Sequence, residues 1–483
     1  MQRKQNTQKW GCPCEDRREA EGNRGAHSMP SRRDKIVCGE CDLLSRVLDK
    51  RNLYSAYKQV FANKGAAGVD GMTVDELLPW LVENANELID RIKAGKYTPK
   101  PVLRVEIPKP DGGVRLLGIP TVIDRMIQQA ISQVLTPIYE QQFSEHSYGF
   151  RPGRSAHDAI SLARDYYEQG YVHVVDLDLS KYFDTINHDL LMVMLRETIS
   201  DRPLLELIWK YLKSGVMING VVRATETGSP QGGNLSPLLS NIYLTKFDRE
   251  MERRGHKFVR YADDVNVYVK TQRAAERVLA SCTRFLENKL KLRVNKDKSA
   301  AGSPAKLKFL GFCIGKDKRG VHVRIHPKSR TRFENKIREI TCRSRGTSME
   351  SIMGALRNYI IGWLHYYGIA EIKTMMHDIS AWIRHRLRAY IWKQWKHIRT
   401  RAEHLMKYGC TKDNAWKWAM TRKGVWRIAC SKVLDTTITN RVLMDMGLLD
   451  IEAAYGKISN SLKTLNRRMP NGTYGGVGGR LLN

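Results

Sequence analysis

The sequence predicts an α+β protein in which a part that mixes strands with helices is followed by an all-helical part. Two alternating apolar runs, at 103–107 and 114–119, flank the turn Pro110-Asp-Gly-Gly113, which is typical of a β-hairpin. Strand and helix patterns then mix to about residue 315, and only helical spacing continues beyond about residue 327. With 483 residues, 42% of them hydrophobic, the chain is long enough for two or three domains.

Helices are predicted on both sides of this hairpin. Apolar residues at helical spacing begin near Leu43, return over Val74–Ile92, and recur at four-residue intervals across Thr121–Tyr139. A long amphipathic stretch runs from about Ile372 to Leu405. The last part of the chain is therefore expected to be a helical bundle.

The first 45 residues are polar and rich in Gly, Arg and Glu, so a flexible extension is expected there. Cys12 and Cys14, with Cys38 and Cys41, have C-x-C and C-x-x-C spacing, which leaves a zinc knuckle open. The C-x-C half is unusual for such a site, and chance cysteines in a flexible tail are the favoured interpretation. The remaining cysteines are scattered, as reduced thiols of a cytosolic protein would be.

Charge is the most informative bulk property. The chain has 81 Lys and Arg against 50 Asp and Glu, a net charge of +31, which implies a polyanionic partner. No stretch reaches the roughly 18 uninterrupted apolar residues of a membrane span, and the polar start resembles neither a secretory nor a transit signal. We therefore expect a nucleic acid as partner, no membrane association and a cytoplasmic location. Charge alone does not distinguish DNA from RNA.

Two acidic elements accompany apolar strand patterns. In the first, alternation places Asp176 and Asp178 on one face of a strand whose other face is apolar. In the second, two apolar runs within Phe258–Val269 flank Asp263 and Asp264, which predicts a hairpin with paired carboxylates at its tip. Either motif alone is more often turn or ion-pair chemistry. Together they suit Mg²⁺, which prefers oxygen ligands, and nucleotidyl transfer uses two such ions about 3.5–4 Å apart.

The motifs around these carboxylates resemble those of one enzyme family. Tyr261-Ala-Asp-Asp264 resembles the signature hairpin of reverse transcriptases, and Asp178-Leu-Ser-Lys-Tyr-Phe183 resembles their other metal-binding motif. With Gly228-Ser-Pro-Gln-Gly-Gly-Asn234 and Asn295-Lys-Asp-Lys298, the resemblance is to group II intron reverse transcriptases and covers about residues 45–450. It implies a right-hand polymerase, with an antiparallel sheet in its fingers and palm, followed by an all-α thumb and maturase domain.

The resemblance also implies a division into domains. The expected parts are a flexible extension at 1–45, fingers and palm at 46–315, the start of a helical thumb at 316–345, a thumb and maturase RNA-binding region at 346–450 and a C-terminal tail at 451–483. Relatives often end in a DNA-cutting domain with H-N-H and paired C-x-x-C ligands, and no such pairs follow Cys430. Insertion is therefore expected to take its primer from elsewhere, such as a nascent strand at a replication fork.

The family's active-site roles carry over onto matching positions. The metal-binding positions would be Asp178, Leu179, Asp263 and Asp264, for two Mg²⁺ ions with Mn²⁺ as a substitute, and Lys298 would help to protonate the leaving pyrophosphate. The nucleotide-binding positions would be Lys109, Arg115, Tyr182, Phe183, Gln231 and Gly232. Of these, Lys109 and Arg115 would grip the triphosphate of the dNTP. Phe183 would exclude a 2′-hydroxyl, although a plain core aromatic is the alternative.

Nucleic-acid contacts are expected mainly in the helical part, where residues 316–430 hold 26 Lys and Arg against 8 Asp and Glu. The expected contacts are Arg151, Arg154, Gly311, Lys328, Arg332, Lys336, Arg384, Arg388, Lys393 and Lys396. The same region holds seven of the ten tryptophans, and for most of them a core position is favoured over base stacking.

Together these features predict an RNA-directed DNA polymerase that binds its group II intron RNA, assists splicing and copies the intron into DNA. Its expected partners are that RNA, a DNA target and primer strand, and dNTPs, with a bacterial cytoplasmic location near the nucleoid during mobility. The sequence leaves the oligomeric state open. Two alternatives remain: a maturase that assists splicing without polymerising, and a domesticated reverse transcriptase acting in defence or repair.

Overall fold

A computed structural model describes residues 42–108, 113–218, 220–223, 227–228 and 232–467. The four N-terminal cysteines, the predicted triphosphate contact Lys109 and the predicted sugar contact Gln231 lie outside the described residues. Within the described residues, no helix is long and apolar enough to cross a membrane.

The described strands, in chain order, are β1 (Val102–Pro108), β2 (Val114–Ile119), β3 (His173–Leu177), β4 (Val216–Ile218), β5 (Val221–Arg223), β6 (Lys257–Tyr261), β7 (Asp264–Val269), β8 (Ala300–Gly302), β9 (Phe312–Asp317) and β10 (Gly320–Ile325).

The helices before β9 are α1 (Leu43–Val47), α2 (Lys50–Ala62), α3 (Leu77–Lys93), α4 (Val122–Glu140), α5 (Ala156–Glu168), α6 (Tyr182–Thr185), α7 (His188–Arg196), α8 (Arg202–Lys213), α9 (Ser236–Arg253) and α10 (Gln272–Asn288). Those after β10 are α11 (Pro327–Ile340), α12 (Met349–Tyr367), α13 (Lys373–Gln394), α14 (Ile398–Lys407), α15 (Lys412–Ala419), α16 (Val425–Ala429), α17 (Lys432–Thr437), α18 (Asn440–Asp445) and α19 (Ile451–Arg467). The predicted α+β fold class with a helical C-terminal part is confirmed.

The chain divides into two compact units, each built from several segments. The first unit comprises the chain up to Phe150, Asp178–Gly255 and Ala280–Lys298, and the second comprises Arg151–Leu177, His256–Leu279 and the chain from Ser299 onward.

A four-stranded sheet of order β2-β1-β4-β5 belongs to the first unit. The predicted hairpin is confirmed, since β1 and β2 pair antiparallel from Leu103↔Ile119 to Pro108↔Val114. Strand β4 joins the other side of β1 in parallel, and β5 pairs antiparallel with β4.

Helix α4 is the central helix of the first unit's core. Most of its apolar side chains are buried, and the polar residues Asp124, Arg125 and Gln128 are buried with them. The side chain of Thr121 caps its start by accepting a hydrogen bond from the backbone N–H of Asp124. The buried Asp124 carboxylate in turn accepts hydrogen bonds from the Tyr97 and Thr121 hydroxyls, both at 2.7 Å, and burial raises its pKa.

The second unit contains the sheet of order β6-β7-β3-β8, the β9–β10 hairpin and the helices from α11 onward. Strands β6 and β7 pair from Lys257↔Tyr268 to Tyr261↔Asp264, which confirms the predicted second hairpin. Helices α11 and α12 pack through aromatic rings, with the ring centroids of Phe333 and Trp363 4.0 Å apart. The predicted helical region therefore has an ordered apolar core.

The structure corrects the sequence interpretation at three places. Residues 316–325 are not the start of a helical thumb, because β9 runs through residue 315 and pairs with β10 up to Ile325. The proposed boundary at residue 45 falls inside α1. Residues 451–467 are a helix rather than a tail: α19 packs on α12 and α13, and its residues Ile451, Tyr455 and Ser459 are buried at four-residue spacing.

Candidate active site

The turn between β6 and β7 carries the paired carboxylates. Strand β6 ends at Tyr261 and β7 begins at Asp264, so Ala262 and Asp263 form a two-residue turn. Ala262 has a φ of 57°, in the left-handed region that non-glycine residues seldom adopt. Asp263 and Asp264 are half-buried, and their backbones are fixed by the Tyr261↔Asp264 pair. The tight turn therefore holds two carboxylates at the rim of the second unit's sheet.

Strand β3 lies beside β7 and ends next to this turn. The last pair of their antiparallel register is Leu177↔Val265, one residue after Asp264 in β7. The pair before it is Asp176↔Asn266, and the Asn266 amide, oriented to satisfy its neighbours, donates to the Asp176 carboxylate at 2.9 Å. The Asp176 carboxylate is therefore hydrogen-bonded within the sheet. The end of β3 lies next to the end of β7 that carries Asp264.

The residue that follows β3 is Asp178, which belongs to the first unit. The Asn295 side-chain amide donates to its carboxylate at 3.0 Å, and the Asn295 backbone N–H donates to its carbonyl at 2.8 Å. The next residue, Leu179, is buried and forms a β-bridge with Val294. Asn295 thus orients Asp178, a role that the sequence motif Asn295–Lys298 contained but did not reveal.

The short helix α6 carries the aromatic residues predicted at the nucleotide site. Tyr182 is buried, and its hydroxyl donates to the carbonyl of Ser240 at 2.9 Å. This placement corrects the prediction only for the Tyr182 side chain, because its phenol is enclosed by the core and bonded to α9. Phe183 is half-buried and lies edge-on to Tyr182, with ring centroids 5.3 Å apart. Of the two rings, only Phe183 is partly accessible.

Helix α6 is held in place by an ion pair and by the glycine-rich loop. The Arg104 guanidinium on β1 donates to the Asp184 carboxylate at 3.1 Å, and both side chains are partly buried. The Gly228 N–H donates to the Ile186 carbonyl at 2.8 Å. A Cβ on Gly228 would lie 2.8 Å from the Asp184 backbone. The residues on both sides of Phe183 are therefore held in place. The contact between Arg104 and Asp184 could not be predicted from sequence patterns.

The glycine-rich loop is also fixed to its surroundings. His188 is buried on α7, and its Nε2 donates to the carbonyl of Gly228. Burial lowers the pKa of His188 and so favours the neutral ring. Gly232 has a φ of 118°, and a Cβ there would lie 2.3 Å from the carbonyl oxygen of Gly118 on β2. Gly232 therefore lies against β2 where only a glycine fits.

The predicted cations of the nucleotide site are partly described. Arg115 is exposed on β2, opposite Ile107 in the hairpin register. Lys298, the predicted proton donor, is exposed at the end of the first unit. Both side chains are therefore accessible to a polyanionic ligand.

The predicted nucleic-acid contacts before α12 differ in accessibility. Lys328, Arg332 and Lys336 are exposed on one face of α11, where Lys336 pairs with Glu339 at 3.0 Å. Arg151 is buried and Arg154 is half-buried. Among the predicted nucleic-acid contacts before α12, those on α11 therefore form the accessible basic surface.

Gly311 has a structural reason to be glycine that the sequence did not reveal. Its φ is 87°, and a Cβ would lie 2.6 Å from the Tyr367 hydroxyl. Its carbonyl accepts hydrogen bonds from the Ser329 hydroxyl at 3.0 Å and the His326 N–H at 3.1 Å. Gly311 therefore connects the start of β9 to α11 and α12. This structural role is independent of any contact with nucleic acid.

Helix α13 carries three of the predicted contacts, Arg384, Arg388 and Lys393, and the prediction for Arg388 is wrong. Arg388 is buried, pairs with Asp435 at 2.6 Å and donates to the Ile438 carbonyl at 2.9 Å. Its guanidinium is held inside the second unit, because that face of α13 packs against the α17 segment. Arg384 is half-buried and donates to the Ser380 hydroxyl at 2.6 Å. Lys393, near the end of α13, is exposed. Lys396, two residues after the last residue of α13, is also exposed.

Replacing Arg388 by Met is expected to lower the free energy of unfolding by about 2 kcal/mol, because the Ile438 carbonyl loses its donor and the ion pair is broken. RNA affinity per folded molecule should stay within a few fold. Lys396→Met, at an exposed position, should show the reverse: unchanged stability and weaker, less salt-dependent RNA binding. Urea unfolding and RNA binding at two salt concentrations measure both. If Arg388→Met weakened RNA binding as much as Lys396→Met and left stability unchanged, Arg388 would belong to the RNA-binding surface after all.

The family model "Reverse transcriptase (RNA-dependent DNA polymerase)" matches residues 107–314, and "Group II intron, maturase-specific domain" matches residues 330–409. Protein YkfC of Escherichia coli is 37% identical over 297 residues, which are 53% of this chain and 78% of YkfC. The chain belongs to the group II intron reverse transcriptase and maturase family. Its reverse transcriptase domain contains both carboxylate motifs, and its maturase domain contains α12 and α13.

Other relatives match this group II intron reverse transcriptase over shorter shares of their length. Group II intron-encoded protein LtrA of Lactococcus lactis is 32% identical over 330 residues, 54% of each chain. The chain thus spans about half of LtrA. Putative COX1/OXI3 intron 2 protein of Saccharomyces cerevisiae is 28% identical over 59% of this chain and 40% of its own. Among solved structures, a chain of a partial Cas6-RT-Cas1–Cas2 complex matches with a TM-score of 0.34, too low to carry an argument.

Proposed function

We propose that this chain copies its group II intron RNA into DNA and assists the splicing of that RNA. The observation that carries the proposal is the β6–β7 turn, which holds Asp263 and Asp264 beside the end of β3 within the matched reverse transcriptase domain. The adjoining maturase domain and the exposed basic face of α11 support binding to intron RNA.

Asp178, Asp263 and Asp264 are the proposed ligands of two Mg²⁺ ions. Within the described ranges, no three His, Cys, Asp or Glu side chains form a ready metal site. This donor set still fits Mg²⁺, which uses one or two protein carboxylates and fills its remaining positions with water and substrate phosphate. Leu179 would contribute its backbone carbonyl oxygen, because a leucine side chain has no atom that can bind Mg²⁺. When bound, two such ions would activate the primer 3′-hydroxyl and offset charge on the leaving pyrophosphate.

The protein's own residues would bind and orient the substrates. Asn295 would hold the Asp178 carboxylate in one orientation through its amide. Lys109 and Arg115 would bind the dNTP triphosphate, and Lys298 would supply a proton to the pyrophosphate. Gln231, which follows Pro230 in the glycine-rich loop, would lie beside the incoming sugar.

A primer-extension assay tests the polymerase proposal. Purified protein, an RNA template with an annealed DNA primer, dNTPs and Mg²⁺ should yield cDNA, and EDTA should abolish the synthesis. RNA that copurifies with the protein should be sequenced in parallel, and group II intron RNA is the expected result. Splicing assistance without any cDNA would instead identify a maturase that does not polymerise. Copurified RNA from an unrelated source would favour a role in defence or repair.

Replacing Phe183 by Ala is expected to relax discrimination against ribonucleotides by roughly 10- to 100-fold, because a steric gate works by excluding one hydroxyl and contributes only a few kcal/mol. The comparison is the ratio of kcat/KM for dNTP to that for rNTP in single-nucleotide extension. Tyr182→Phe, which removes only a buried hydroxyl, is the matched control and should keep the ratio. Unchanged rejection of rNTPs in Phe183→Ala would remove Phe183 from this role.

A further inference from the structure

An open groove in the second unit is lined by two residues of the matched maturase domain and by four residues that follow it. Its volume is about 610 Å³, and it is lined by Arg343, Lys393, Gly424, Val425, Trp426 and Arg427. Four of these residues belong to the segment 424–427, which follows residue 409, where the maturase match ends. We refer to this set of six residues as the Trp426 groove.

Trp426 faces outward because of how α16 packs. Ile428 and Ala429 are buried, α16 packs on α13, and the Ala429 carbonyl lies 3.2 Å from Nδ1 of His385. This arrangement turns the other side of the short helix to solvent, and Trp426 is 43% exposed. An indole this exposed leaves a large apolar ring unburied, and tryptophan is enriched at interaction surfaces, where one end of the side chain is apolar and the other is wet.

The ring of Trp426 differs from those of Trp382, Trp392 and Trp395 in what lies around it. Trp382 has the Arg338 and Arg386 guanidinium groups 5.1 and 5.2 Å from its ring centroid. Trp392 and Trp395 are buried. In the described part of the chain, by contrast, no cation or aromatic ring stacks on Trp426. Because Trp426 is also 43% exposed, a planar group can reach its ring.

The groove around this ring is cationic and uncompensated. Arg343, Lys393 and Arg427 are exposed, and none of them forms an ion pair within the described residues. No carboxylate is among the lining residues. Three cations without a counter-charge repel one another and favour an anionic ligand.

We propose that the Trp426 groove binds an unpaired nucleotide, whose base stacks on Trp426 while Arg343, Lys393 and Arg427 bind the flanking phosphates. A π-face beside unpaired cations is the combination by which proteins bind single strands, since every base can stack and every linkage carries a charge. A paired base within a duplex cannot lie flat on the indole. Single-stranded RNA and single-stranded DNA both supply this chemistry.

Photocrosslinking tests the proposal on the full chain. The probes are a short single-stranded RNA with one 5-iodouridine, the matching DNA with 5-iododeoxyuridine, and the same RNA in a blunt duplex. Unlabelled primer–template duplex in excess occupies the polymerase site. Trypsin cleaves after Lys423 and Arg427, so a crosslink to Trp426 is recovered on the peptide Gly424–Arg427, in which it is the only aromatic residue.

We expect this peptide to carry the single-stranded probe and not the duplex. If only the RNA probe or only the DNA probe crosslinks, the result would still support the site and would show which nucleic acid supplies the nucleotide. Absence of the crosslinked peptide with both single strands, or equal crosslinking of the duplex, would overturn the proposal.

Substitutions separate the stacking from the charge. Under the same conditions, Trp426→Leu should weaken single-strand binding roughly 5- to 100-fold, whereas Trp426→Phe should stay within a few fold. Arg343→Ala combined with Arg427→Ala should weaken binding and flatten its salt dependence, and Lys373→Ala, an exposed cation at the start of α13, is the matched control. Equal affinities for the Leu and Phe variants would contradict stacking on Trp426.

Discussion

Replacing Asp263 by Asn is expected to abolish DNA synthesis, with a loss of roughly 10³-fold or more in kcat. The metal ions that this carboxylate would hold contribute several kcal/mol to stabilising the transition state, and an amide is a much poorer ligand. The turn should persist, because its backbone is fixed by the Tyr261↔Asp264 pair. RNA affinity should stay within a few fold, since the basic surface lies on other elements.

The control for this experiment is Asp189→Asn, which removes an exposed carboxylate on α7. It should leave both synthesis and RNA binding unchanged. Primer extension and an RNA-binding titration on the same preparations give both quantities. Parallel losses of synthesis and RNA binding in Asp263→Asn would mean that this carboxylate is structural, and the polymerase proposal would then have to be abandoned.

Gly232→Ala is expected to lower kcat/KM for dNTP roughly 10- to 100-fold. An alanine at a φ of 118° is strained, and its Cβ would lie 2.3 Å from the Gly118 carbonyl oxygen, so the loop has to move away from β2. The moved loop is the one that is anchored to α6 beside Phe183. The damage is therefore expected in nucleotide binding rather than in RNA binding.

Gly220→Ala separates the two causes of this effect. Gly220 has a φ of 81°, but a Cβ there meets nothing within 4 Å. It therefore carries the backbone strain without the clash, and its variant should lose little activity. If single-nucleotide extension is reduced equally in both variants, the close approach to β2 is not what limits the reaction.

Local patterns were sufficient to predict much of the fold. The β1–β2 and β6–β7 hairpins, helix α4 and the helical C-terminal part agree with expectation, because alternation, turn residues and four-residue spacing are properties of short segments. The paired carboxylates at the tip of a hairpin could be predicted for the same reason, because the whole motif lies in one short segment. Their metal-binding role remains a prediction.

Long-range partners could not be predicted from such patterns. Arg104 is 80 positions from Asp184, and Asn295 is 117 positions from Asp178, so no local period connects them. Arg384 and Arg388 are four residues apart and therefore lie on one face of α13, but spacing does not tell which face is covered. Burial of Arg388 depends on α17 and the residues after it, which lie about 50 positions further along.

The helix α19 was overlooked for a different reason. The tail expected at 451–483 does not take into account that Ile451, Tyr455 and Ser459 stand at four-residue spacing, which is a helical pattern.

The placement of α19 decides how the protein can be shortened for crystallisation or expression. The Tyr455 hydroxyl donates to the Ala370 carbonyl at 2.9 Å and accepts from the Ile372 N–H at 3.3 Å, bridging the connection between α12 and α13. Truncation at residue 450 would remove this bridge and expose apolar surface around Gly368, which Ile458 and Leu462 cover. Such a fragment would aggregate, so a trimmed version should retain every residue through Arg467.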